Sequence, residues 1–225
     1  MYKKYLAQAG KNAEYAFHLV ELYEKQGKTN EAEAQLLSNV KIYPSDYRNF
    51  EKLSVIYFQK KNWNNASIYL TKALQFEEAS NELRGMLARA QAQRGLKNEA
   101  IANYKKYLSN AGNDSEGWFT LGSIQFSLGQ YAEAAKTLQK ASTMMSKNSE
   151  LYPMLGQAYF KAGDFSNAII PLSKALETKK DDLQLISMLA QCYRKQNDTR
   201  NLASILKEWV RLDNTNYNLL KELAE

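Results

Sequence analysis

The chain has 225 residues, 44% of them hydrophobic and 24% charged, a balance that excludes a disordered polymer and suits a folded globular chain. The net charge of +6 permits contact with acidic surfaces without demanding it, and the single cysteine, Cys192, excludes an internal disulfide. One histidine, His18, far from that cysteine in the chain, leaves no metal set, no apolar run approaches the roughly 20 residues that span a bilayer, and Met1–Gln8 has no apolar signal stretch.

Residues 13–46 set a pattern that recurs along the chain. Leu19 and Val20 mark the apolar face of a first helix, termed A, and Gly27 suits a helix end of positive φ. Ala32 and Leu36 mark the face of a second helix, B. Residues 47–80 repeat the plan with Leu53, Ser54, Ala66 and Leu70. Lys61 replaces the turn glycine there, and the adjacent Asn62 is expected to take the left-handed conformation. Residues 81–114 carry Leu87, Ala88, Gly95, Ala100 and Tyr104. Residues 115–148 show the fullest form: Trp118, Leu121, Gly122, Gly129, Ala134, Leu138 and Ala141 occupy positions 4, 7, 8, 15, 20, 24 and 27. Residues 149–182 follow with Leu155, Gly156, Gly163, Ala168 and Leu172, and residues 183–216 with Leu189, Ala190, Asn197, Leu202 and Leu206.

Each repeat begins 34 residues after the last, with no insertion. Small residues at positions 8 and 20 let A and B approach, while large ones at 4, 7, 11 and 24 fill the space between them. Ser115 and Ser149 are expected to cap their A helices, and Glu14, Glu82, Glu116 and Glu150 to favour the first-turn dipole. Gln91 and Gln125 at position 11 need hydrogen-bond partners if buried. Pro171 falls inside a B helix, and Leu202 and Trp209 are larger than their counterparts. Residues 1–12, with Tyr2 and Tyr5 at core positions, fill the end of an earlier repeat, and residues 217–225, with Leu220 and Leu223, open a seventh. The expectation is one array over residues 1–225, either cut from a longer repeat protein or frayed at its ends.

The spacing from Trp118 to Ala141 resembles the tetratricopeptide signature, and the phase carries that resemblance through the whole chain. The resemblance implies an all-α helical-repeat solenoid, a right-handed superhelix of antiparallel helix pairs with A helices on its concave side. It also implies a non-catalytic scaffold that holds a protein or peptide segment, without a cofactor, along A-helix positions 2, 5, 6, 9, 12 and 13. On those positions Phe17, Phe58, Met86, Phe119, Phe126, Met154, Phe160 and Met188 supply an apolar strip, joined by Arg194. A subgroup of the family clasps the C-terminal carboxylate of heat-shock chaperones with Lys at position 5 and Asn at position 9. Here the pairs include Phe17/Glu21, Gly85/Arg89, Phe119/Ser123 and Pro153/Gln157, none of them Lys/Asn. An apolar or amphipathic segment therefore suits the groove better than a chaperone tail.

Three rival readings are weaker. No Gly-rich phosphate loop, nucleophile elbow or metal-spaced cluster supports an enzyme, although an accessory region of a larger enzyme is compatible. Helical repeats that read RNA have 35-residue units and a basic groove, whereas this groove is apolar with acidic patches, so no nucleic acid is expected. End-to-end homo-oligomerisation through open array ends is a further alternative.

Overall fold

A computed structural model describes residues 12–145 and 148–213. Tyr2, Tyr5, Leu220 and Leu223, with the two partial repeats expected around them, lie outside the described residues. The described residues are helical without strands, and the chain divides into two units at Ala111/Gly112. The first unit contains α1 (Ala13–Lys25), α2 (Thr29–Ile42), α3 (Tyr47–Gln59), α4 (Trp63–Ala73), α5 (Asn81–Gln93) and α6 (Lys97–Leu108). The second contains α7 (Ser115–Ser127), α8 (Tyr131–Met144), α9 (Leu151–Lys161), α10 (Phe165–Thr178), α11 (Leu183–Lys195) and α12 (Thr199–Leu212). Odd-numbered helices are the A helices and even-numbered ones the B helices. Within each unit every A helix packs on its own B helix, and each B helix on the next A helix.

The turn between A and B is the same six times. In the first repeat the Lys28 N–H donates to the Tyr23 carbonyl at 2.9 Å and the Gly27 N–H to the Glu24 carbonyl at 2.9 Å. Those two bonds form a Schellman cap, which needs positive φ at position 15. Gly27, Gly95, Gly129 and Gly163 meet the need at φ between 70° and 80°. Lys61 meets it at 55° and Asn197 at 56°. Asn62 does not adopt the left-handed conformation expected of it: at φ −81° it caps α4, its side chain accepting the Asn65 N–H. The cap fixes which residue must turn, so Lys61 bears the strain.

Neither Ser115 nor Ser149 caps its helix: the cap of α7 falls one residue earlier than Ser115, and α9 starts at Leu151 with no side-chain cap. Asp114 accepts the Gly117 N–H at 2.9 Å, whereas Asn148 accepts the N–H of Glu150, the residue ahead of α9, at 2.9 Å. Asn12, Asp46 and Asp182 cap α1, α3 and α11 as Asp114 caps α7. Asn12, Asp46, Asp114 and Asp182 all stand at position 34, the last residue of a repeat, where a short carboxylate or amide reaches the free N–H groups of the following helix.

Core contacts follow the 34-residue phase. Leu36, Leu70, Leu138 and Leu172 at position 24 are fully buried. A Cβ placed on Gly122 would lie 2.6 Å from Leu138 Cγ, and one on Gly156 2.7 Å from Leu172 Cγ, so position 8 is where A and B nearly touch. Asn39 departs from the small residue usual at position 27, and its Nδ2 donates to Asn49 Oδ1 at 3.0 Å, tying the first repeat to the second through buried amides. Leu202 and Trp209 pack half-buried around Ala190 and Leu206. Pro171 is buried inside α10 and has no N–H to give the Asn167 carbonyl one turn earlier. The two position-11 glutamines differ: Gln91 Oε1 accepts from Asn103 Nδ2 at 2.8 Å, whereas Gln125 Oε1 is buried without a partner among the described residues.

Two stability changes follow. Lys61→Gly relieves a left-handed non-glycine and is expected to raise the unfolding free energy by about 0.5–1 kcal/mol, with Gly95→Ala lowering it by at least about as much. Gln125→Met keeps the volume and removes the orphaned oxygen, for an expected gain of about 1 kcal/mol. Urea denaturation followed by circular dichroism measures both, and an unchanged or lower midpoint for either Lys61→Gly or Gln125→Met contradicts the corresponding assignment.

Candidate functional site

In the first unit, α1 and α3 flank a cavity of about 510 Å³ on the A-helix side. Its charged and apolar walls come from Phe17, Glu24, Arg48, Glu51, Lys52 and Val55. Phe17 is only 7% exposed because the Arg48 guanidinium lies 4.3 Å, and Lys52 Nζ 5.5 Å, from its ring centre. Both cations are held by carboxylates. Arg48 pairs with Asp46 at 2.8 Å and Glu14 at 3.0 Å, and Lys52 with Glu24 at 2.7 Å. The hydrogen bond from Arg48 holds the Glu14 carboxyl below its ordinary range. Glu14 is thus tied across to the next repeat as well as sitting in a first turn. Glu21 and Glu51 remain as carboxylates of this face with no ion-pair partner among the described residues. Phe58 and Met86, farther along the unit, are half-buried against its core. Arg89 is exposed.

In the second unit the A-helix side is apolar. Phe119 and Phe126 of α7 and Met154 of α9 are half-buried against one core cluster that includes Leu138 and Leu155. Ser123 stands between them, its Oγ donating to the Phe119 carbonyl at 2.8 Å and lying 3.3 Å from Met154 Sδ. Gln157 and Phe160 are half-buried on α9, Arg194 is exposed on α11, and Met188 is buried at 8% exposure. Of the residues expected to line a groove, Phe17 and Met188 are therefore covered, while Phe119, Phe126, Met154 and Phe160 keep an open edge.

The position-12 phenylalanines have a mate that sequence reasoning missed. Phe58 meets Trp63 at 5.2 Å between ring centres, Phe126 meets Tyr131 at 5.3 Å and Phe160 meets Phe165 at 5.5 Å, each edge to face. The mate is always position 17, the first residue of helix B. The signal was in the sequence: where position 12 is Glu24, Ala92 or Arg194, position 17 is Thr29, Lys97 or Thr199. Lys161 Nζ adds a cation 5.1 Å from the Tyr131 ring centre. These ring contacts hold the aromatic edges in a defined orientation.

The chemistry available on these faces is contact chemistry. Cys192 is buried and its thiol is pushed up to about 11 by desolvation, so it stays protonated. Among the described residues no group of three His, Cys, Asp or Glu is placed to hold a metal ion, and no helix is long and apolar enough to cross a membrane.

Helix pairs repeated every 34 residues, each closed by the same turn, define an α-helical repeat protein. Family models of the tetratricopeptide repeat match residues 85–143, 125–192 and 184–216, and the chain belongs to that family of protein-interaction scaffolds. Solved structures share the fold at low identity. YrrB, described as a tetratricopeptide protein with an unusual peptide-binding site, is 17% identical, with 83% of this chain and 96% of that one covered and a TM-score of 0.67. MamA is 20% identical over 74% of this chain and 97% of its own, with a TM-score of 0.60. A MamA from Desulfovibrio magneticus RS-1 gives 17%, 77%, 98% and 0.56 for the same quantities. No curated protein sequence matches the chain.

A double-mutant cycle tests the position-12 pairing. Phe126→Leu and Tyr131→Leu are expected to couple by about 0.5–1.5 kcal/mol in unfolding free energy, and strict additivity contradicts a specific ring–ring contact.

Proposed function

We propose that the A-helix faces dock an apolar or amphipathic segment of a partner protein, and that the chain works as a non-catalytic scaffold or adaptor. One observation carries this reading: the open edges of Phe119, Phe126 and Met154 lie together over a single core, with Phe126 fixed by Tyr131 and Met154 touching Ser123. Aromatic and methionine side chains that are ordered yet accessible are the groups that anchor interfaces, because docking removes their remaining apolar surface from water at little rotamer cost. The first unit favours a ligand with a polar side. Arg48 and Lys52 at its cavity are already neutralised by Glu14, Asp46 and Glu24, while Glu21 and Glu51 are left to meet basic groups. The YrrB description, a peptide-binding site on the same fold, is consistent with this reading.

The test is partner capture by the immobilised chain followed by affinity measurement. Phe119→Ala combined with Phe126→Ala is expected to weaken binding of the captured partner by roughly tenfold or more while helical circular dichroism is unchanged. Binding that survives the double variant, or tight oligonucleotide binding that falls steeply with salt, contradicts the proposal.

A further inference from the structure

A second cleft opens on the opposite side of the second unit, between the B helices α8 and α10, with α9 as its floor. Its volume is about 540 Å³. Tyr152, Leu155 and Tyr159 form the floor, Ile170 and Pro171 one wall, and Gln139 the other. Ile170 stands at its rim with 68% of its surface exposed, more than any other large hydrophobic residue among those described. Past Lys174 and Tyr152, which line both, the cleft adjoins a further cavity of about 380 Å³ beside Pro153. The two form a trough suited to an extended chain rather than a compact molecule.

Three features select among extended chains. First, Tyr152 and Tyr159 are seven residues apart on one helix, about 10.5 Å along its axis. Residues i and i+3 of a polyproline II segment are about 9 Å apart, close enough to that spacing for two of its rings or side chains to reach the two tyrosines. Second, the side chains in the cleft have donors to spare. The Ser142 hydroxyl is committed to the Gln139 carbonyl, but Gln139 Nε2 and Asn167 Nδ2 each keep one N–H free after their bonds to Ser142 and Asp164. The Tyr159 hydroxyl stays protonated, its pKa raised by burial and then by Asp164, but its O–H is directed at Gln139 Oε1 at 3.5 Å and is not one of the spare donors. A proline-rich strand brings carbonyl oxygens and few N–H groups, which matches such a wall. Third, among the described residues no carboxylate lines the main cleft, Glu177 lining only the adjoining cavity, and Lys174, the one described cation of the main cleft, sits 4.9 Å from the Tyr152 ring centre with no carboxylate partner. That charge calls for an acidic residue in the occupant.

We infer that this B-helix cleft is a second binding site, distinct from the A-helix faces, for a proline-rich segment carrying acidic residues in polyproline II conformation. It goes beyond the docking role of the A-helix faces and does not rest on it.

The experiment is fluorescence anisotropy of the labelled nonapeptide (Pro-Pro-Glu)3 titrated with the full chain, against (Gly-Gly-Glu)3 and (Pro-Pro-Lys)3. The expected result is saturable binding of the first, at least roughly tenfold tighter than of the other two. Ile170→Asp and Lys174→Glu, both at exposed positions, are each expected to weaken it by roughly tenfold with helical circular dichroism intact. The Phe119→Ala, Phe126→Ala double variant is expected to leave it unchanged. Absence of saturable binding, equal affinity for the glycine peptide, or loss of binding in the double variant but not in Ile170→Asp overturns the inference.

Discussion

The near-contact of position 8 with the leucine at position 24 sets everything else in this molecule. At Gly122 and Gly156 the A helix has no side chain, and Leu138 and Leu172 fill the space a Cβ would need. That approach buries the leucine completely and brings the two helices close enough for a three-residue turn to join them. The short turn forces a Schellman cap, and the cap forces a left-handed residue at position 15. A helix pair built this way still has apolar surface on its outer side, which it buries only against the next pair. Local sequence, turn geometry and stacking therefore specify one another, as a minimally frustrated chain requires.

The same geometry makes the A-helix faces available. Because A and B hold each other through positions 8, 20 and 24, positions 5, 6 and 9 of the A helix are not needed for the pair and vary, and position 12 joins the pair only where position 17 is aromatic. In the second unit they became Phe119, Phe126 and Met154, and in the first a cage of charges around Phe17. The two faces are built differently. Edge-to-face pairing orders Phe126 without covering it, whereas Arg48 and Lys52 cover Phe17 and are themselves held by carboxylates. The proposed docking of a partner segment rests on the apolar anchor of the second unit taken by itself.

Much of this was legible because a 34-residue period multiplies weak signals: one leucine says little, six in phase fix a register. Helix pairing, the glycine turns and the small residues at position 8 could all be read in this way. What escaped was information carried between positions rather than at them. The N-cap slipped by one residue at Ser115 because serine caps well, yet Asp114 precedes it and reaches the free Gly117 N–H first. Strain went to Lys61 rather than Asn62 because the cap's hydrogen bonds, not residue preference, choose the turning residue. The covering of Phe17 needed the 4.3 Å approach of Arg48 from the next repeat, a contact 31 residues away in sequence. The pairing of positions 12 and 17 was visible in principle, since the two vary together along the chain.

The most direct measurement is methyl NMR of the chain labelled at its methionines, titrated with the partner segment it captures. Met154 reports on the A-helix face of the second unit and Met144, 42% exposed on α8, on the B-helix side. Docking through the A-helix face moves the Met154 signal at substoichiometric partner and leaves Met144 in place. Perturbation of Met144 with Met154 unmoved would contradict it.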